Sequence, residues 1–186
     1  MCVKHLVLIM RFIKLLVITV LLFTSCKKEN TEITAEEESM QNTVVTDSLK
    51  LTKKDISKVN YKDIGLDAKT NKVISNWQPY LNVVNGIEKI KLPDFSFFNA
   101  DTDLFVSSLK DLEETIPEGI NTEPIKARVL VLKTMLFKFQ EIESLNTSSK
   151  KDKLLAIQQV FVALSNLNLQ INKKIEKDSQ TIIKPY

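Results

Sequence analysis

Apolar residues between positions 68 and 178 recur at intervals of three and four residues, which is the spacing of one face of an α-helix. The pattern runs through four segments, at about 68–90, 102–116, 123–142 and 150–178. The alternating pattern of a half-buried strand is almost absent from this region. The sequence therefore predicts an all-α domain that contains four helices.

Pro79 makes the first of these segments ambiguous. A proline is tolerated in the first turn of a helix, whereas in the interior it removes a hydrogen bond and kinks the helix. The helix could begin four residues before Pro79, or a longer helix could begin near Asp67 and kink. We expect the longer, kinked helix because Val73, Trp77 and Leu81 lie at one face of it.

Short connections between the four segments predict that neighbouring helices are antiparallel. The expected architecture is an antiparallel four-helix bundle, and the alternative is a three-helix core braced by the second helix. The fourth segment has apolar residues on more than one stripe, so we expect it to be central. Asn168 lies in its apolar seam, where a buried asparagine could fix the register. We expect instead that Leu167 turns inward and leaves Asn168 at the edge.

The first 25 residues have the composition of a secretory signal peptide. They contain Lys4, Arg11 and Lys14 and no acidic residue, and they end in an uninterrupted apolar run over 15–23. That run has nine residues, whereas a membrane-spanning helix needs about 20. The sequence therefore favours a signal that is removed over a permanent transmembrane helix.

The segment Leu22-Phe23-Thr24-Ser25-Cys26 resembles the lipobox of bacterial lipoproteins. Small residues before the cysteine fit the pattern of that family, while Phe23 replaces the commoner leucine. The resemblance implies that a peptidase cuts before Cys26 and that Cys26 becomes the lipidated first residue, held by membrane lipid. It also implies a bacterial cell envelope location. Lys27 follows the cysteine in place of aspartate, which by analogy favours the outer membrane and leaves its periplasmic or surface side open.

Residues 26–67 are expected to form the lipidated cysteine and a flexible linker. The segment over 31–46 is polar, contains the acidic run Glu36-Glu37-Glu38, and cannot bury enough apolar surface to offset the entropy of ordering. The predicted organisation is therefore a signal peptide over 1–25, a tether over 26–67 and a helical bundle domain over 68–186.

The composition of the mature chain excludes several kinds of chemistry. His5 is the only histidine, and it lies with Cys2 in the signal, so Cys26 is the only cysteine left after cleavage. Catalysis by Ser-His-Asp or Cys-His groups and zinc sites of histidine and cysteine therefore lack their residues. The mature chain also has no net charge and no visible basic patch for nucleic acid. We expect no enzyme, no catalytic residue, no cofactor, no metal and no nucleic-acid partner.

The remaining candidates for a ligand or partner surface are aromatic residues: Trp77, Tyr80, Phe95, Phe97 and Phe98. Packing in the core is the preferred role for Trp77, and a plug over one end of the core is preferred for the three phenylalanines. The favoured function is a lipid-anchored, non-catalytic binding or scaffold subunit that contacts another envelope protein. The alternative is a module that binds a small apolar or glycan ligand near Trp77 and the phenylalanines.

Overall fold

The computed structural model of the protein describes residues 50–99 and 101–180. Within these residues the chain forms six α-helices, one short 3₁₀ helix and no strand, so the all-α prediction is confirmed for this part. The predicted signal peptide, Cys26 and the first part of the linker lie outside the described residues. The helices are α1 (Lys53–Ile56), α2 (Ala68–Ile74), α3 (Gln78–Ile90), α4 (Thr102–Glu114), the 3₁₀ helix (Glu118–Ile120), α5 (Glu123–Ser144) and α6 (Lys150–Ser179).

The later helices begin where the sequence predicts, and in α4 and α6 a side-chain oxygen accepts from a backbone N–H of the first turn. The Asp101 carboxylate accepts a hydrogen bond from the backbone N–H of Asp103 at 2.9 Å and caps α4. The hydroxyl of Ser149 accepts from the backbone N–H of Asp152 at 3.1 Å and caps α6. Thr122 stands at the N-cap position of α5. These starts confirm the predicted helix boundaries.

The longest helix, α6, lies at the centre of the fold, as predicted. Its 30 residues give it a length of about 45 Å. It packs most extensively against α5 and also contacts α1, α2 and α3, whereas α4 packs between α3 and α5. Most of the middle of α6 is therefore buried, including Ile157, Val160, Leu167 and Ile171 at 0% exposure.

The prediction of one kinked helix over the first segment is wrong. Helix α2 ends at Ile74, and Trp77 is the N-cap residue of α3, which places Pro79 in the first turn, where it is tolerated. The break also changes the buried face, since Val73 and Leu81 are 44% and 38% exposed. The fully or nearly fully buried apolar side chains of α3 are Tyr80, Val83, Ile87 and Ile90.

The flexible linker does not extend to residue 67. Residues 50–67, which we call the strap, lie along the folded domain and contain the short helix α1. Leu51 and Ile56 are each 4% exposed, and Thr52 with Asp55 forms a capping box at α1. The domain therefore begins no later than Leu51, and the rest of the predicted tether lies outside the described residues.

The loop between α3 and α4 inserts aromatic rings into one end of the core, as predicted for the phenylalanine plug. Phe98 is 1% exposed, and its ring centroid lies 4.7 Å from that of Phe139 in α5. Phe97 is half-buried, 5.5 Å from Phe105 in α4, and Phe95 is half-buried, 5.7 Å from Phe139. Edge-on contacts of this kind join α4 and α5 through the loop.

The ring of Phe97 lies directly over Gly86 in α3. A Cβ atom at Gly86 would be 2.5 Å from Phe97 Cγ, so only glycine allows this approach. We expect Gly86→Ala to lower the free energy of unfolding by roughly 1–3 kcal/mol through overpacking. This loss opposes the gain of about 1 kcal/mol that alanine brings to a helix interior.

Urea unfolding of Gly86→Ala beside Gly119→Ala measures the effect. Gly119 is the matched control because a Cβ there meets no atom within 4 Å. Equal or greater stability of Gly86→Ala relative to the wild type would contradict the proposed contact.

Candidate functional site

Polar side chains of α6 hold the backbone of the second half of the strap, residues 60–67, by hydrogen bonds at both ends of that half. The amide of Gln158 donates to the carbonyl oxygen of Asn60 at 2.7 Å. Fourteen residues later, the amide of Asn172 donates to the carbonyl oxygen of Gly65 at 2.9 Å, and its oxygen accepts from the backbone N–H of Asp67 at 3.1 Å. The strap therefore runs parallel to α6.

The middle of the strap is held by buried groups. The amide of Asn168 donates to the carbonyl oxygen of Ile64 at 2.8 Å, and its oxygen accepts from the hydroxyl of Tyr80 at 2.6 Å. The backbone N–H of Ile64 points at the hydroxyl of Ser165, 3.4 Å away. The strap, α3 and α6 thus meet at Asn168. We call Gln158, Ser165, Asn168 and Asn172 the polar ladder.

The lengths of the two elements match. The ladder spans 14 residues of helix, which is about 21 Å at 1.5 Å per residue. The seven-residue step from Asn60 to Asp67 spans roughly 23 Å when extended. The two lengths are similar, as expected for a strap that is close to extended between Asn60 and Asp67.

The expectation that Asn168 lies at the edge of the core is wrong. Asn168 is 7% exposed and Leu167 is 0% exposed, so both side chains point inward. The asparagine can be buried because both ends of its amide have partners, Ile64 and Tyr80.

The polar ladder was missed at the level of sequence, although a signal for it exists. Its members are separated by seven, three and four residues on a helix whose middle, over 154–171, is otherwise largely apolar. That spacing places polar side chains on one face of the helix. A polar stripe inside a core helix indicates that an element with unpaired backbone groups covers it.

The aromatic candidates from the sequence form two separate groups. Trp77 and Tyr80 are 2% and 3% exposed and stack with ring centroids 5.1 Å apart, and the Trp77 indole donates to the Thr115 hydroxyl at 3.2 Å. Burial raises the pKa of Tyr80, which keeps its hydroxyl neutral and able to donate. Both residues are part of the core.

The phenylalanine loop lies at the other end of α3 from Trp77. Trp77 precedes the first residue of this helix and Phe95 follows its last residue, and the helix is about 20 Å long. The structure therefore does not bring Trp77 and the phenylalanines together into one pocket. Phe98 is buried, and only Phe95 and Phe97 keep part of their surface.

A cleft with a volume of about 500 Å³ opens beside Phe95. Two of its lining residues, Glu143 at the end of α5 and Lys153 in α6, form an ion pair at 3.0 Å and are each 14% exposed. The carboxylate oxygen that faces Lys153 has no well-aligned hydrogen-bond donor among the described residues. The remaining lining residues are Lys50, Leu51, Pro93 and Asn146.

Within the described residues, no three histidine, cysteine, aspartate or glutamate side chains are placed to hold a metal ion.

Helix α6 is long and apolar enough to cross a membrane by length and composition alone. More than half of that apolar window is buried inside the domain, which is typical of the core helix of a soluble fold.

Asn168→Ala tests the role of the buried ladder residue. The substitution leaves the Ile64 carbonyl and the Tyr80 hydroxyl without partners, at a cost of about 1–3 kcal/mol for each buried group. We therefore expect the free energy of unfolding to fall by roughly 2–5 kcal/mol. Asn172→Ala, which removes two exposed hydrogen bonds to the same strap, is expected to cost about 0.5–1.5 kcal/mol per bond.

Denaturant unfolding compares the two asparagine variants, and limited proteolysis reports separately whether the strap has been released. Equal losses of unfolding free energy in the two variants would show that the burial of Asn168 does not account for its contribution to stability.

A pH dependence is expected from Asp55. Hydrogen bonds from Lys150, 2.7 Å away, and from Thr52 hold the pKa of the Asp55 carboxyl well below its usual range. A depressed pKa in the folded state stabilises the fold above the ordinary pKa of aspartate, and this contribution is lost as the pH falls below about 4. We expect unfolding free energies measured between about pH 5 and 2 to fall less steeply for Asp55→Asn than for the wild type.

Lys150→Met removes the cation and leaves the carboxylate, so its curve should also be flatter than that of the wild type. Curves that run parallel for all three proteins would contradict the assigned role of Asp55.

Comparison with known proteins assigns the chain to no family. The chain matches no protein-family model, and no curated protein or solved structure is significantly similar to it. The function must therefore be inferred from the residues of this chain and from their arrangement.

Proposed function

We propose that the protein is a bacterial lipoprotein that is anchored in the cell envelope through Cys26 and acts by binding rather than by catalysis. Its domain would serve as a scaffold or accessory subunit for another envelope protein. The observation that carries the proposal is the position of Cys26, directly after a basic start, a short apolar run and small residues. An outer-membrane location is preferred by analogy with other lipoproteins, because Lys27 and not aspartate follows Cys26.

The domain suits a scaffold because each of its four long helices packs against two of the others. Helix α3 contacts α4 and α6, and α5 contacts α4 and α6. This order supports an antiparallel four-helix bundle over the alternative of a three-helix core with α4 as a brace. A bundle of this kind offers a rigid outer surface, on which Leu104 and Leu130 are 65% and 56% exposed.

The state of the charged groups supports a non-catalytic role. Acid–base catalysis needs carboxylates that face one cleft with pKa values pushed apart. Among the described residues, Glu113 pairs with Lys133 and Glu143 pairs with Lys153. The mature chain, if cut before Cys26, has no histidine.

The cleft beside Phe95 supports the second candidate, a module that binds a small ligand. It combines the apolar side chains of Leu51 and Phe95 with the charged pair of Glu143 and Lys153. Its volume of about 500 Å³ lies within the range of small-molecule sites. A ligand with an apolar body and one polar end would fit this lining.

Cys26→Ala is expected to lose both lipid and membrane attachment. Cells that are fed an alkyne analogue of palmitate should label the wild type and leave Cys26→Ala unlabelled in the soluble fraction. Cys2→Ala is the matched control, because Cys2 lies in the signal, and it should keep both properties. A Cys26→Ala protein that stays labelled and membrane-bound would contradict the anchor.

The same wild-type membranes test the two binding roles. After gentle solubilisation and affinity purification, a scaffold subunit should bring one or two envelope proteins in near-stoichiometric amounts. A protein that purifies alone but carries a bound small molecule would favour the ligand-binding alternative. A protein that purifies alone and empty would contradict both roles.

A further inference from the structure

Positive charge in the domain is concentrated on the strap, on α2 and on α6. Residues 50–72 contain seven lysines and three aspartates, and residues 150–180 contain six lysines and three acidic residues. Residues 73–149, which include α3, α4 and α5, contain seven basic and eleven acidic residues. The excess of negative charge in this range lies on α4 and the loops beside it, although the mature chain as a whole is neutral.

Besides Lys50, which lines the cleft beside Phe95, four lysines of the strap are both exposed and unpaired within the described residues. The acidic residues beside them are already engaged: Asp55 pairs with Lys150 at 2.7 Å, and Asp63 lies 3.4 Å from Lys91. The third, Asp67, accepts from the backbone N–H of Thr70 at 2.7 Å. We call the four lysines the lysine face: Lys53, Lys54, Lys58 and Lys62.

The lysine face has a fixed support. The capping box holds α1, and the polar ladder holds the strap beyond it. Because the strap runs parallel to α6, its lysines follow one edge of the domain from Lys53, two residues from the Asp55–Lys150 pair, toward Asp67, which contacts Asn172. Charges on a rigid row bind an extended anionic surface without the entropy cost of ordering a loose chain.

Cys26 lies 24 residues before Lys50 in the sequence, on the N-terminal side of this row. A lipid anchor holds the domain within the length of its tether from the bilayer, so a weak surface contact is populated strongly. One acyl chain with a polybasic patch is a recurring combination of membrane signals. Lysines that lie next to an anionic leaflet are attracted to it over about one Debye length, ~8–10 Å.

We propose that the lysine face docks on anionic lipid headgroups of the membrane that holds Cys26. This inference rests on the proposed lipid anchor. Docking is expected to turn α4, which carries the excess of negative charge, away from the membrane. Leu104 on α4 and Leu130 on α5, two of the exposed leucines outside the strap, are then available to a protein partner.

Lysine labelling on vesicles tests the proposal. The full-length protein, purified from membranes, is added to vesicles of phosphatidylcholine alone or with phosphatidylglycerol, and a membrane-impermeant amine reagent is followed by peptide mass spectrometry. The lysine face should react several-fold more slowly on the anionic vesicles, and high salt should remove the difference. Lys110, Lys126 and Lys138 on the other side serve as internal references. Equal rates on both vesicles would overturn the docking.

A charge-matched pair of variants tests the docking of the lysine face with other lysines as the reporters. The first variant replaces the lysine face with glutamine, and the control replaces Lys110, Lys126, Arg128 and Lys138 with glutamine. Lys69 and Lys72, which continue the basic row, should lose their protection on anionic vesicles in the first variant only. Loss of protection in both variants would mean that net charge, and not the lysine face, causes the binding.

The same experiment separates this inference from the proposed anchor. Protein that associates with both kinds of vesicle, with equal labelling rates, contradicts the docking alone. Protein that carries no lipid but associates only with anionic vesicles contradicts the anchor and supports the docking. Protein that associates with neither contradicts both.

Discussion

The backbone N–H and C=O groups of the strap need hydrogen-bond partners where it lies against α6. The backbone groups of a helix are already paired within the helix, so they cannot pair with a neighbouring strap. Only side chains can do so, and α6 supplies them with Gln158, Ser165, Asn168 and Asn172. Part of the seam of α6 is therefore polar and holds the strap. The apolar residues on its other faces pack against α3 and α5. The polar ladder therefore fixes how α6 is rotated in the domain.

Sequence reasoning succeeded where the signals are local. Helices α4, α5 and α6 begin directly after Asp101, Thr122 and Ser149. A residue of the N-cap type beside a regular apolar period is a signal that a few neighbouring residues contain. It failed at the strap for the opposite reason. A polar, lysine-rich segment has the composition of a tether, and what orders it is a set of hydrogen bonds to residues about a hundred positions later.

The break between α2 and α3 shows a second limit. Val73, Trp77 and Leu81 happened to continue one helical face, and that coincidence favoured a single helix over a new start before Pro79. The aromatic residues were assigned correctly to packing, but sequence could not show that Trp77 and Phe95 lie at opposite ends of one helix. The proposed anchor at Cys26 rests on a local pattern of residue types, which can be recognised without knowledge of the fold.

The long separation of the strap from its partners also sets the order in which the chain can fold. The hydrogen bonds that hold it join residues 98 to 107 positions apart, whereas α5 and α6 are neighbours in sequence and can pair early. The contacts of Asn172 with Gly65 and Asp67 cannot form until this part of α6 has been made. During synthesis of the preceding residues, the backbone groups at this end of the strap are therefore paired with water rather than with α6.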